Sequence, residues 1–249
     1  MVILLTGSSK GIGYQIAKDL ILDGHSIILH CNKNRSYLEK LIRNTKSKSI
    51  IIQADLSKTT EIKKMVEKSI NSLSFPDCII NNAGIAESSD ISIDFEKWNK
   101  LFDRTIDVNL KAPALIFKEF IKYKRDNNIK SRLRVINISS RAAFRGEQQD
   151  YISYACSKGG IISLTKTISR SFGKTDNVIA LSIAPGFVKT SMAQSFIDKH
   201  GEEYVKQGIT LDRLTEPKDI SPIVSLIVSG KMDHSSGSTI DINAGSYLR

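Results

Sequence analysis

Short apolar runs and longer stretches of helical periodicity take turns along this chain. Val2–Thr6, Ser26–Cys31, Ile50–Gln53, Cys78–Asn81, Leu133–Ile138, Val178–Ala184 and Thr239–Ile242 are compact runs dominated by Ile, Val and Leu. Such runs lack the in-out alternation of a half-exposed sheet, so they read as strands covered on both faces. Between them, Ile12–Leu22, Tyr37–Arg43, Glu61–Leu73, Phe95–Tyr123, Ser153–Phe172 and Pro217–Val228 repeat apolar residues every three or four positions. That spacing predicts helices with one face on a core. Strict alternation of strand and helix indicates an α/β fold built on a doubly wound parallel sheet. No repeat, linker or low-complexity tract divides it, so a single domain is expected.

Composition narrows the class. The chain has 249 residues, 41% hydrophobic and 25% charged, the balance of an ordinary globular protein. The apolar start ends at Thr6, too short for a signal-peptide core, and no run reaches the roughly 18 apolar residues of a membrane span. A cytoplasmic protein without membrane contact is expected. Cys31, Cys78 and Cys156 are widely separated and match no disulfide framework or metal-ligand spacing. The net charge of +10 raises the question of nucleic acid. Lys and Arg are scattered over most predicted helices, with no aromatic-interleaved stripe, so a solvated basic surface is the simpler reading and no nucleic-acid partner is expected.

Two stretches carry candidate chemistry. Thr6-Gly-Ser-Ser-Lys-Gly-Ile-Gly13 lies between the first strand and the first helix. Gly7 allows a tight turn, Gly11 allows backbone to approach a pyrophosphate, and Gly13 allows helix and strand to pack closely. A diphosphate would then sit on the helix N-terminus. The second stretch runs from Ser139 to Lys158. Tyr154 and Lys158 share a helix face, about 6 Å apart along the axis. A cation within about 4–6 Å favours a phenolate and brings a phenol of pKa about 10 toward the working range, which makes Tyr154 a candidate general acid. Ser140 places a hydroxyl beside it. The spacing alone is weak evidence, because Tyr14 and Lys18 repeat it.

In combination the motifs are specific. Thr6–Gly13, Asn-Asn-Ala-Gly at 81–84, Asn109 in Val-Asn-Leu, Ser140, Tyr154-x-x-x-Lys158, and Pro185-Gly186 with Thr190 resemble the short-chain dehydrogenase/reductases, in the family's order and over almost the whole chain. The resemblance implies a Rossmann-type fold and hydride transfer between a nicotinamide cofactor and a carbonyl or alcohol. It gives Tyr154 the proton-donor role. Lys158 would lower the Tyr154 pKa and bind the nicotinamide ribose, Ser140 would hold the substrate oxygen, and Asn109 would support a water relaying protons to Lys158. The gap from Ser140 to Tyr154 is slightly longer than the family's, which keeps Ser139 open as the hydroxyl donor.

The same resemblance places the cofactor against Gly7, Ser9, Lys10, Gly11, Ile12 and Gly13, against Asp55 and Leu56, against Asn82, Ala83 and Gly84, and against Pro185, Gly186, Val188 and Thr190. A segment over 187–216 would cover the substrate as a lid. The end of the second strand carries Cys31, Asn32, Lys33 and Arg35. An acid there would accept hydrogen bonds from the ribose of NAD; its absence, with Lys10 nearby, points to NADPH. Among family members the chain looks most like the 3-oxoacyl-[acyl-carrier-protein] reductases, which implies a 3-oxoacyl thioester of fatty-acid synthesis as substrate and acyl carrier protein as a possible partner. A small ketone, sugar, steroid or polyketide intermediate is the alternative. Lys130, Arg132, Arg134, Arg170 and Lys174 are the bases expected to steer an acidic carrier. A homotetramer, or failing that a dimer, is implied, although Ser171 stands where relatives often carry an acid. A nucleotide-sensing regulator on the same fold would typically lack the tyrosine or the lysine, and both are present.

Overall fold

A computed structural model describes every residue of 1–249 except Asn44, with the side chains of Ser195, Lys199 and His200 also outside the described set. The apolar runs become β1 (Val2–Leu5), β2 (Ser26–Cys31), β3 (Ile50–Gln53), β4 (Cys78–Asn81), β5 (Leu133–Ile138), β6 (Val178–Pro185) and β7 (Thr239–Ile242). They pair in parallel in the order β3-β2-β1-β4-β5-β6-β7. The order reverses direction between β1 and β4, and a crevice opens beyond the carboxyl ends of the strands at such a switch point.

Alternate residues of each strand feed two cores. In β1, Ile3 and Leu5 belong to one apolar cluster and Leu4 to the other, and all three are fully buried. The first cluster is covered by α1 (Gly11–Leu22), α2 (Arg35–Ile42) and α10 (Pro217–Val228). The second is covered by α3 (Thr59–Ser72), α5 (Ala112–Asp126) and α7 (Ile152–Asp176). Tyr14 packs against the first core while Lys18 is exposed, so that pair is a helix-packing feature.

The long helical pattern at Phe95–Tyr123 is interrupted. α4 (Phe95–Ile106) passes through a π-helical turn, Asp107–Lys111, into α5. Pro113, in the first turn of α5, has no N–H to return to the carbonyl of residue 109, and the backbone accommodates this by widening there. Two short elements, α6 (Ala142–Arg145) and a 3-10 turn at Gln149–Tyr151, lie between β5 and α7.

The expected lid is not a bare loop. It folds into α8 (Gln194–His200) and α9 (Glu202–Lys206), where Ile197, Val205 and Leu214 pack with Phe187, Phe196 and Ile209. Its two ends are held together by a parallel bridge between Val188 and Thr215. No described helix is long and apolar enough to cross a membrane, and no metal-ligating cluster occurs among the described residues.

Candidate active site

β5 and α7 bring the catalytic candidates together because the first turns of α7 sit at the end of β5, joined to it through Ser139 and Lys158, while the helix packs along neighbouring β6. Ser139 and Ser140 follow β5 directly and point in different directions. The Ser139 hydroxyl donates to the Lys158 carbonyl at 2.9 Å, a bond between the strand end and α7. Ser140 Oγ accepts from the Ala142 N–H at 3.1 Å and shares a hydrogen bond with the Tyr154 phenol. The hydroxyl beside the phenol is therefore that of Ser140.

Lys158 is 5% exposed, and its Nζ donates to the Ile138 carbonyl at 2.9 Å. It lies 5.7 Å from the centroid of the Tyr154 ring. Burial lowers its pKa to about 8. Tyr154 departs from the sequence expectation: its pKa is raised, because burial outweighs the Ser140 hydrogen bond, Glu147 adds to the rise, and the Arg141 cation offsets part of it. At neutral pH the arrangement holds a protonated phenol beside a hydroxyl, with an ammonium below the ring.

Asn109, 1% exposed in the π turn, clamps the loop after β4. Its Oδ1 accepts from Ile85 N at 2.8 Å, and its Nδ2 donates to Ile85 O at 2.8 Å and to Ser157 Oγ at 3.0 Å. Gly84 is held close by this clamp: a Cβ there would lie 3.4 Å from Asn109 Oδ1 and 3.5 Å from Lys158 Nζ.

The glycine turn is built against the same loop. Gly7 has φ +65°, and a Cβ on it would lie 2.7 Å from Ala83 Cα; a Cβ on Gly13 would lie 2.2 Å from the Gly7 carbonyl oxygen. Thr6 Oγ1 accepts from the N–H groups of Asn82 and Ala83, both at 3.0 Å, and Asn82 Nδ2 donates to the carbonyls of Thr6 and Gly7. The Asn82 side chain thus holds the turn from behind. Gly11, also in the left-handed region, would place a Cβ 3.3 Å from Thr190 Cγ2, so the turn and the segment after β6 approach one another across the crevice. Pro185 ends β6, and Gly186 packs on Asn243, where a Cβ would meet Asn243 Cα at 2.7 Å.

This crevice suits a dinucleotide. The α1 N-terminus has no side-chain cap at Lys10 and no acid in its first turn, which leaves its N–H groups for an anion beside a turn that only glycines can form. Ser9 lies in that turn, and Ile12 is the second residue of α1.

Other expected contacts fall differently. Cys31 and Leu56 are buried in opposite cores, as is Val188 at 8% exposure, so these three offer backbone to the crevice. The Asp55 carboxylate accepts from the Ser57 N–H and hydroxyl at 3.0 and 2.8 Å, a strand-end cap. Arg35 is exposed and tied to Glu39 at 2.8 Å and to the Ile51 carbonyl at 3.3 Å. Asn32 and Lys33 are exposed, and among the described residues neither Lys10 nor Lys33 has a side-chain hydrogen bond or ion pair.

The bases expected to steer a carrier lie elsewhere. Lys130, Arg132 and Arg134 precede or begin β5, whereas Ser140 follows its other end, about 20 Å away for a strand of this length. Arg132 and Arg134 both pair with Asp233, at 2.6 and 2.9 Å. Arg170 and Lys174 lie at the far end of α7 from Tyr154, more than about 20 Å along the axis. None of the five stands at this chain's own site.

Three participants were not picked out from the sequence. Ser157 is fully buried and bridges the site, accepting from Asn109 and donating to the Tyr154 carbonyl at 2.7 Å. Arg141, beside Ser140, is partly buried, makes no side-chain hydrogen bond or ion pair with the described residues, and acts electrostatically on Tyr154. His30, the polar residue within the apolar run of β2, contacts the glycine turn.

The comparisons with known proteins agree with this fold. A family model described as "short chain dehydrogenase" matches residues 1–201. The chain belongs to that family: it is an oxidoreductase of the NAD(P)-dependent kind. Among its curated relatives, the 3-oxoacyl-[acyl-carrier-protein] reductase FabG of Rickettsia conorii is 32% identical over 245 residues, covering 98% of this chain and 96% of the relative. That of Staphylococcus epidermidis is 29% identical over 249 residues, covering 98% of each. A solved 4-hydroxyisoleucine dehydrogenase complexed with NADH superimposes with a TM-score of 0.87 at 27% identity, covering 98% of each chain. An actinorhodin polyketide ketoreductase with NADPH shares the fold, with a TM-score of 0.88 at 20% identity over 98% of this chain and 96% of that one.

Proposed function

We propose that the protein reduces a carbonyl to an alcohol with NADPH, and that the carbonyl is the 3-oxo group of an acyl thioester on acyl carrier protein. The observation that carries the reduction is the Ser140–Tyr154–Lys158 cluster at the switch-point crevice. A nicotinamide bound in this crevice would supply the hydride. Ser140 holds and polarises the substrate oxygen, and Tyr154, protonated at neutral pH, delivers the proton to it. Lys158 carries the positive charge that favours proton loss from the phenol and reaches a ribose hydroxyl from beside Gly84. The side chain of Asn109 is committed to Ile85 and Ser157, so the relay water belongs at its main-chain carbonyl.

The NADPH preference rests on Lys10 and Lys33, uncommitted cations near the end of β2, and on the absence of an acid at the strand end. Arg35, engaged by Glu39, contributes less than its sequence position implies. The thioester substrate is supported by whole-length similarity to two 3-oxoacyl-[acyl-carrier-protein] reductases. For assembly we propose a homotetramer: α4 leaves Phe95 75% exposed and stacks Trp98 on Phe102 at 5.2 Å, an apolar surface suited to a second copy.

The test is cofactor oxidation with acetoacetyl-carrier protein and a panel of free ketones, using NADPH and NADH in turn. Higher kcat/KM for the thioester with NADPH is expected. Reduction of a small ketone, sugar, steroid or polyketide analogue without the thioester would overturn the substrate, and a higher kcat/KM with NADH would overturn the cofactor preference.

A further inference from the structure

We propose that His30 is a positioning residue for the cofactor: its imidazole spans the gap between the glycine turn and the end of β3 and fixes the diphosphate-binding backbone. His30 sits on β2 at 2% exposure, in the buried run Ile27–Cys31 that is otherwise apolar. Its Nδ1 accepts from the Gly7 N–H at 3.1 Å, and its Nε2 lies 3.0 Å from the Ala54 carbonyl. Its own carbonyl accepts from both the N–H and the hydroxyl of Ser8, each at 2.9 Å.

These contacts fix the protonation of the ring. A backbone N–H can only donate, so Nδ1 carries no proton; a carbonyl can only accept, so Nε2 carries one. His30 is the neutral Nε2–H tautomer, and burial lowers its pKa against the weaker upward pulls of the Ala54 hydrogen bond and the Asp55 carboxylate. One side chain therefore ties β2 to the turns after β1 and β3. Gly7 needs such a tie because it stands in the left-handed region at φ +65° with backbone packed against it, and its N–H has no partner in a strand or helix. The Ser8 bonds add a second point of attachment to the same strand residue. The Tyr154 cluster lies on the other side of the switch point, beyond β4, so His30 acts on where the cofactor is held and not on the proton donor.

The inference rests on the crevice being the cofactor site, and the experiment separates the two. In substitution, an Asn amide oxygen falls near Nδ1, whereas a Gln amide nitrogen falls near Nε2. His30→Asn should keep the Gly7 bond, and His30→Gln should lose it. Fluorescence titration with NADPH should give His30→Asn a Kd within about threefold of the native protein, and His30→Gln and His30→Phe values raised roughly 5–150-fold, the range for an unpaired buried donor. Displacement by ADP should weaken in parallel with NADPH, while displacement by adenosine, which lacks the diphosphate, should stay unchanged. In the native protein, independently of any variant, the Gly7 amide should be protected from hydrogen exchange. Equal NADPH affinity in all variants, equal weakening in Asn and Gln, or a freely exchanging Gly7 amide would overturn the role of His30. Failure of the native protein to bind NADPH or NADH would instead overturn the cofactor reading.

Discussion

Lys158 Nζ lies 5.7 Å from the centre of the Tyr154 ring and gives its hydrogen bond to the Ile138 carbonyl, at 2.9 Å. The two residues share a helix face, as their spacing requires, yet the ammonium is anchored to the strand end. That anchor holds a charge in a buried position, and burial pulls its pKa from 10.5 to about 8.

The first consequence is a cost in stability. The unfolded chain binds the Lys158 proton up to about pH 10.5 and the folded chain only up to about pH 8, which at neutral pH amounts to about 3 kcal/mol against folding. Stability from this group is full above the unfolded value and is lost as pH falls from about 10.5 to about 8. Lys158→Met should remove that cost while leaving the Ile138 carbonyl unpaired, for a net gain of about 1–2 kcal/mol at pH 7 by urea denaturation. Turnover should nearly vanish. The stability gain should shrink as pH rises from about 8 to about 10.5, and a variant less stable than native at pH 7 would contradict the burial argument.

A second consequence is a pH profile. Below about pH 8 the lysine is charged, and the phenol, whose pKa is raised, holds its proton. The kcat/KM for reduction should therefore decline as pH rises through about 8, with an apparent value that belongs to the coupled pair. A rate still climbing at pH 10 would show that Lys158 is not the titrating group.

The neighbouring serines should separate cleanly. Ser140 bonds the phenol and Ser139 bonds the Lys158 carbonyl. Ser140→Ala should lower kcat about 10²-fold and, because the Ala142 N–H loses its acceptor, cost about 1 kcal/mol in stability. Ser139→Ala should cost about 1 kcal/mol in denaturation and leave kcat within a few-fold. The reverse pattern would reassign the substrate-holding hydroxyl to Ser139.

Cofactor choice can be probed at Lys33, exposed and uncommitted after β2. Lys33→Glu should lower kcat/KM with NADPH about tenfold or more while leaving NADH within about threefold, since a carboxylate there repels a 2′-phosphate. A uniform fall with both cofactors would place Lys33 away from the ribose.

Much of this was legible in the sequence where the information is local. The seven strands and most of the helices follow from apolar spacing, and Gly7 and Gly13 stand where the backbone has no room for a Cβ. Tyr154 and Lys158 are four residues apart on one helix, so their meeting needs no knowledge of topology. What the sequence hid depends on which strands lie side by side. His30 reaches Gly7 because β2 pairs with β1, and it reaches Ala54 because β3 lies on its other flank. Arg132 and Arg134 show the converse. They are close to Ser140 in number, but β5 runs between them and the site, and Asp233 engages both. The pKa of Tyr154 was misjudged for a related reason: spacing reveals a nearby cation but not the burial that outweighs it.

The central claim is that Tyr154 protonates the substrate oxygen during cofactor-dependent reduction. Its most direct test is NADPH oxidation with acetoacetyl-carrier protein by native protein and by Tyr154→Phe, each with its NADPH Kd measured. The account predicts turnover by the native protein, a loss of roughly 10²–10⁴-fold in the variant, and a Kd within about threefold. Tyr154→Phe turning over within tenfold of the native rate would contradict it.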